Sequence, residues 1–229
     1  MKKIAITQSN YIPWMGYFEM INYVDQFIFF DETQFTRRDW RNRNKLLCEG
    51  KTKWLTIPLK TKGNYYKKIS EMNVYDDNWK KEHLKKIFSY YGKLSNFNKS
   101  FNKIQKIYTN CSKSRLTEIN KHFIKEISKL LKIKSDFQDS DNYKIRNSKN
   151  ASERLLEICI AAKADIYVSG PSAKNYLDID LFKKHNVKIE WFKYVYSKHY
   201  FQKNREILIN NLSIIDYILR FGLDKKIFN

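Results

Sequence analysis

The beginning of the chain constrains the fold most strongly, because two short apolar runs each end in a polar or aromatic segment. The run KKIAITQ leads into the aromatic segment 8–17, and the run QFIFF ends in Asp31, Glu32, Thr33 and Gln34. Short apolar runs are typical of strands buried in a parallel sheet, and such sheets bind ligands beyond the carboxyl ends of their strands. We therefore expect a ligand site where these two segments meet.

The middle of the chain carries turn and helix signals. The segment RNKLLCEGKTKWLTIPL predicts a β-hairpin around Glu49-Gly50-Lys51. Apolar residues at helical spacing predict helices over residues 77–91, 97–108 and 114–132. The polar stretch 136–150 is interpreted as a surface excursion.

The last third returns to alternating helices and strands. Asn150 followed by Glu153 predicts the N-terminus of a helix, and the strands DIYVSG and VKIEWF follow it. The two ends of the chain are therefore expected to share one sheet. We predict a single α/β domain over residues 1–229, with a mainly parallel sheet flanked by helices, a helical middle layer inserted at about 77–135, and a small β-hairpin excursion.

Composition narrows the class of protein. No apolar run reaches the roughly eighteen residues of a membrane span, so a cytoplasmic protein is expected. Cys48, Cys111 and Cys159 are far apart and have no histidine at ligand spacing, so neither a disulfide framework nor a metal site is expected. The net charge of +20 keeps a nucleic-acid partner open, although the lysines are spread along every segment.

Several segments, in order, resemble the WbqC-like proteins: IAITQSNYIPWMGYFEMIN, DQFIFFDETQFTRRDWRNRN, WLTIPL, IYVSGPSAKNYLD, HYFQ and NLSIIDYILRFG. That family is linked to O-antigen and other surface-polysaccharide gene clusters, including lipopolysaccharide biosynthesis. The resemblance implies a transferase that forms an amide, with a glycyl or other acyl group, on the amino group of a nucleotide-linked sugar. An activated donor is expected, and glycyl-tRNA, an acyl carrier and ATP-activated glycine are all compatible with a basic protein. No membrane insertion is expected, and a homodimer stays open.

A weaker resemblance concerns the layout Tyr11-x-Pro13-x-x-Gly16-Tyr17, which is similar to the first unit of nucleotidylyltransferases and pantothenate synthetases. Trp14 and Tyr17 stand where those enzymes have two histidines that stabilise charge on the phosphates, so adenylyl transfer is disfavoured. A nucleotide-dependent ligase or nucleotidyltransferase-like enzyme is kept as one alternative. A basic RNA-binding or scaffolding protein is kept as another.

Two residues are the catalytic candidates. Asp31 follows the second strand and is interpreted as a general base or an anchor for an amine, against the alternative of a loop residue that caps backbone amides. His199 lies in the family-like motif HYFQ and is the candidate acid/base histidine, against a structural role.

The candidate binding residues follow strands or lie in the family-like segments. Of Arg37, Arg38, Arg41 and Arg43, Arg43 is the preferred ligand for a diphosphate or carboxylate, because guanidinium groups hold such anions through paired hydrogen bonds. Aromatic residues near the first strand are either a stacking wall or ordinary core. The predicted substrate-binding residues are Gln8, Tyr11, Trp14, Tyr17, Gln34, Arg38, Asn42, Arg43, Ser169, Gly170, Tyr176 and Gln202.

Overall fold

The computed structural model describes residues 1–64, 66–95, 97–145, 148, 150–194 and 211–223. Short 3-10 turns lie at Ile69–Glu71, Ser140–Asn142 and Pro171–Asn175. The elements in chain order are β1 (Lys3–Thr7), α1 (Met15–Tyr23), β2 (Gln26–Phe29), β3 (Arg43–Cys48), β4 (Lys51–Thr56), α2 (Trp79–Tyr91), α3 (Phe97–Thr109), α4 (Leu116–Leu130), β5 (Asp136–Asp139), α5 (Ala151–Ala161), β6 (Ile166–Ser169), α6 (Ile179–Lys184), β7 (Lys188–Trp191) and α7 (Ile214–Phe221).

Five of the strands form one parallel sheet in the order β5-β2-β1-β6-β7. The central strand β1 places Ala5 opposite Phe27 of β2 and Val168 of β6. The chain runs outward from β1 through β2 to β5 and then returns to β6 on the other side of β1. The strand order therefore reverses between β1 and β6, and this is the switch point at which open α/β sheets bind ligands.

Both faces of this sheet are covered by apolar side chains. On one face Ala5, Phe27 and Phe29 join a core that contains Phe123 of α4 and Ile218 of α7. On the other face a second core is built around α5 and α6 by residues that include Ile4, Ile6, Ile28, Leu155, Cys159 and Phe182. The predicted α/β class with a mainly parallel, helix-flanked sheet is confirmed.

The helical middle layer and the hairpin are both present. Strands β3 and β4 pair antiparallel, and their turn residues Glu49 and Gly50 both have positive φ, 47° and 78°. A two-residue hairpin loop with that geometry matches the right-handed twist of the strands. The stripe predicted for α4 is buried at Ile119, Phe123 and Ile127. None of the helices in the described ranges is long and apolar enough to cross a membrane.

The prediction of a surface excursion over residues 136–150 is wrong at its start. Asp136–Asp139 is the edge strand β5, paired with β2. An edge strand can form without a continuous apolar run if one of its side chains packs on the neighbouring strand. Here Phe137 stacks on Phe29 with ring centroids 5.7 Å apart. The predicted helix start is confirmed, because the Asn150 side chain accepts the Glu153 backbone N–H at 2.9 Å.

Candidate functional site

A cleft of about 790 Å³ opens at the switch point, beyond the carboxyl ends of β1 and β6. Its first wall is formed by the loop after β1 and the start of α1, and its second wall by the segment after β6. Trp40 and Arg41 close one side, and residues 192–194 after β7 close another. The predicted residues that line it are Gln8, Trp14, Tyr17, Ser169, Gly170 and Tyr176.

The first wall is aromatic because Trp14 lies flat against the helix start. A Cβ atom built on Gly16 would lie 2.3 Å from the Trp14 ring, so this close approach requires glycine. The outer side of the wall is completed by Tyr194, whose ring meets Trp14 edge-on with centroids 4.7 Å apart. Trp14 is half-buried and lines the cleft, and its role as a stacking wall stays a prediction.

Tyr17 is a neutral hydrogen-bond donor at the base of the same wall. Its hydroxyl donates to the Gln8 carbonyl oxygen at 3.0 Å. Burial raises the pKa of Tyr17 well above its ordinary value, and the nearby charge of Asp31 raises it further. The phenol therefore stays protonated and fixes the backbone of the loop at the end of β1.

Arg41 brings a fixed positive charge to the cleft. Its guanidinium donates to the side-chain oxygens of Gln8 and Asn10, and the carboxylate of Asp39 lies 3.8 Å away. Gln8 is held in turn, since its amide donates to the Thr33 hydroxyl at 2.7 Å. Burial lowers the pKa of Arg41, yet a guanidinium remains charged at any physiological pH. These contacts hold a cation in a fixed position at the side of the cleft.

The second wall is built from short, close-packed turns. Ser169 ends β6 with its hydroxyl donating to the Tyr167 hydroxyl at 3.4 Å, and Gly170 leads into the 3-10 turn 171–175. A Cβ atom on Gly170 would meet nothing within 4 Å, so this backbone borders open space. Tyr176 stands at the rim with 55% of its surface exposed.

Comparison with known proteins shows the relationship of the chain. The model of the WbqC-like protein family matches residues 8–227. The chain belongs to the WbqC-like protein family. It is 37% identical over 194 residues to the uncharacterized protein Rv1507c of Mycobacterium tuberculosis (strain ATCC 25618 / H37Rv), a match that covers 85% of this chain and 83% of the relative. No solved structure matches it.

In this WbqC-like protein Asp31 lies beneath the cleft and not in its lining. The carboxylate is buried and accepts the Ser9 backbone N–H and the Ser9 hydroxyl, each at 2.7 Å, together with the hydroxyl of Thr117 at the start of α4. With its oxygens engaged in this way, Asp31 holds the loop after β1 against α4. The contact with the Ser9 N–H is that of a loop residue that caps backbone amides, the alternative that the sequence had left open.

Tyr11 also lies in the core, away from the cleft. It is fully buried, and its hydroxyl contacts the Tyr108 hydroxyl at 2.6 Å and His83 Nδ1 at 2.9 Å. The expectation that it contacts a ligand is corrected on this geometry. Between the two residues Ile12 has a positive φ of 37°, and Tyr11 points inward while Trp14 faces the cleft.

The remaining predicted residues of the segment 34–43 lie outside the cleft lining. Gln34 and Arg38 are exposed elsewhere on the surface. Asn42 is buried and donates to the Ile57 carbonyl at 2.9 Å, so it fixes the entry to β3. Arg43 lies over the ring of Trp54. His199 and Gln202 fall outside the residues that the structure describes, and their assignments stay predictions.

Sequence reasoning preferred Arg43, whereas the arginine of this cluster that lines the cleft is Arg41. Arg41 and Arg43 are two positions apart. Because β3 begins at Arg43, the side chain of Arg43 follows the strand geometry and points away from the cleft. The preceding loop, which no periodic pattern describes, turns Arg41 inward. Asn10, Trp40 and Tyr194 were not singled out, although Trp40 lies inside one of the family-like segments.

Proposed function

We propose that this WbqC-like protein is a transferase that forms an amide on the amino group of a nucleotide-linked amino sugar, in surface-polysaccharide biosynthesis. The observation that carries the proposal is the placement of the Arg41 guanidinium inside an aromatic-walled cleft at the switch point of the sheet. A fixed cation beside aromatic surfaces suits a ligand that has both phosphates and rings.

The cleft has the size and chemistry for such a ligand. Its volume of about 790 Å³ is within the 300–1,000 Å³ that is common for small-molecule sites. The guanidinium suits the diphosphate, because its planar donors pair with phosphate oxygens. The rings of Trp14 and Tyr194 suit one face of a sugar or base.

The reaction needs orientation of two substrates and removal of one proton. The sugar amine attacks the acyl carbonyl, a C–N bond forms, and the bond between the carbonyl carbon and the donor's leaving atom breaks. Holding both partners in the cleft supplies the orientation. Tyr17 keeps its proton and acts as a fixed donor, so the acid/base role stays assigned to His199 as part of the proposal.

Thermal unfolding with matched ligands tests the binding half of this function. A nucleotide-linked 4-amino sugar at about a hundred times its Kd should add about 2.7 kcal/mol to the free energy of unfolding, or roughly 5–10 °C in Tm for a domain of this size. The matching 4-hydroxy sugar should give a smaller shift. Mass spectrometry of the sugar after incubation with acyl donors then detects the amide. Equal shifts with both sugars, or none at millimolar ligand, would contradict the proposal.

A further inference from the structure

The outer face of the β3–β4 hairpin carries a second aromatic surface, formed by Trp40, Arg43, Lys45 and Trp54 and called here the hairpin platform. The Trp40 and Trp54 rings are 5.5 Å apart between centroids. The Arg43 guanidinium lies 4.1 Å from the Trp54 ring centre, and Lys45 Nζ lies 5.2 Å from that of Trp40. Lys45 is directly opposite Trp54 in the hairpin register, so these side chains share one face.

The opposite face of the hairpin packs against the body of the protein. Asn44, Leu46 and Leu55 are buried against the body of the protein, with at most 1% exposure. Trp54 keeps 39% of its surface exposed on the outer face. What distinguishes Trp54 from other exposed rings is its cluster, because Trp40 and the Arg43 guanidinium lie against it and form one continuous surface.

The surroundings of the platform are strongly basic. The segment from Arg37 to Lys68 contains eleven lysines and arginines against two acidic residues, Asp39 and Glu49. Lys51 and Lys53 are exposed on the same hairpin. Aromatic rings interleaved with cations are the surface that binds single-stranded nucleic acid, since bases stack on the rings while the cations meet the phosphates.

The platform is continuous with the cleft. Trp40 contributes to both, and its neighbour Arg41 lies inside the cleft. A strand bound on the platform would therefore end at the cleft mouth. A duplex would not use the rings, because its bases are already stacked on each other.

We propose that the hairpin platform binds the single-stranded 3′ end of an RNA, and that an aminoacyl ester on that end is the acyl donor for the cleft. The assignment of the donor rests on the proposed function, whereas the RNA binding does not. In the transfer the sugar amine attacks the ester carbonyl and a C–N bond forms. The C–O bond to the terminal ribose breaks, and the ribose oxygen leaves with the proton released by the amine, so no oxidant, reductant or nucleotide hydrolysis is required.

Fluorescence anisotropy tests the platform. The probe is a labelled single-stranded RNA of about eight nucleotides ending in CCA, within the range of single-strand site sizes, and the comparison is the same RNA annealed to its complement. The single strand should bind at least about tenfold more tightly than the duplex, and Trp54→Leu should remove about tenfold of that affinity. Phe88→Leu, which deletes an exposed ring on α2, is the matched control and should bind like the unmodified protein.

The dependence of affinity on salt concentration distinguishes stacking from nonspecific electrostatic attraction to a protein of charge +20. Overall affinity should fall steeply between about 50 and 200 mM salt, as phosphate contacts require. The ratio between the unmodified protein and Trp54→Leu should stay constant, because the lost contact is uncharged. Equal binding of duplex and single strand, or no loss in Trp54→Leu, would overturn the platform. Arg43→Lys keeps the charge and removes the stacked guanidinium, so it gives a second test. It should weaken binding of the single-stranded RNA several-fold.

A transfer assay tests the donor. A glycyl ester on a short RNA helix with a single-stranded CCA end is mixed with the nucleotide-linked amino sugar, and the amide is measured by mass. Trp54→Leu should lower kcat/KM for the RNA about tenfold and leave KM for the sugar unchanged. Transfer from a carrier-linked or ATP-activated acyl group, with none from the RNA ester, would overturn the donor and leave the proposed function standing. If instead the amino sugar fails to bind while the RNA still does, the proposed function fails and the platform remains.

Discussion

The segment after β1 and the first residues after β2 carry the same sequence signal but have opposite roles. Both place polar residues directly after a buried parallel strand. After β1, Gln8, Trp14 and Tyr17 line the cleft. After β2, Asp31 turns beneath the cleft to bind Ser9. The difference follows from strand order, because the crevice opens between β1 and β6 and β2 lies on the far side of β1.

Contacts from β3 and from the residue before α7 hold the loop after β1 in an unfavourable backbone conformation. Ile12 has a φ of 37°, which a β-branched residue rarely adopts. Asn44 donates to the carbonyls of Tyr11 and Ile12 at 3.1 and 3.0 Å, and the Ser213 hydroxyl donates to the Ile12 carbonyl at 2.7 Å. Such conformations cost about 1–3 kcal/mol and persist where surrounding contacts fix them. The wall of the cleft is therefore preorganised before ligand binds.

Replacing Asp31 should have the largest effect, and that effect should be on stability. Asp31→Ala leaves the Ser9 N–H and two hydroxyls without their acceptor in a buried site, so the free energy of unfolding should fall by about 4 kcal/mol. For a chain of this size that is roughly 8–16 °C in Tm. Asp31→Asn, which keeps the shape and an acceptor, should lose less.

Urea or thermal unfolding measures the loss, and Asp180→Asn on the exposed start of α6 is the control that should stay within about 0.5 kcal/mol. A variant that melts like the unmodified protein but has lost turnover would return Asp31 to the catalytic role that the sequence suggested.

Prediction of this fold from the sequence succeeded where the hydrophobic pattern is periodic. The stripe of α4, the apolar strands of the sheet and the Asn150 cap follow from local rules. The direction of single polar side chains does not, because it depends on which contacts the loop makes with distant elements. Asp31 is engaged by Thr117, eighty-six positions along the chain, and no local pattern contains that partner.

The inward direction of Tyr11 can be tested through pH. His83 Nε2 faces the Thr56 carbonyl at 3.2 Å, which can only accept, so Nε2 carries the hydrogen and Nδ1 accepts from the Tyr11 hydroxyl. Burial lowers the pKa of His83 from 6.5 to about 4. The unfolded chain therefore binds a proton below pH 6.5 that the folded protein excludes, and stability falls as the pH drops through this window.

A shift of this size corresponds to about 3 kcal/mol lost between pH 6.5 and 4. In His83→Gln this component should be absent, so its unfolding free energy should depend less steeply on pH, while carboxylates contribute equally to both proteins. Denaturant unfolding at pH 7, 5.5 and 4.5 gives the two slopes. Parallel slopes would mean that burial beside Tyr11 does not hold His83 neutral in the folded protein.

The smallest expected effect is on ligand binding in the cleft. Arg41→Lys keeps the charge but loses the planar pair of donors, so binding of the nucleotide-linked sugar should weaken about tenfold or more, since a hydrogen bond to a charged group contributes roughly 1.5–3 kcal/mol. Arg43→Lys is the matched control two positions away, with its guanidinium on Trp54 outside the cleft, and should bind the sugar normally. Titration calorimetry compares the two variants. If Arg43→Lys loses sugar affinity and Arg41→Lys does not, the sugar does not bind at the switch point, and the hairpin platform around Arg43 and Trp54 would be its binding surface instead.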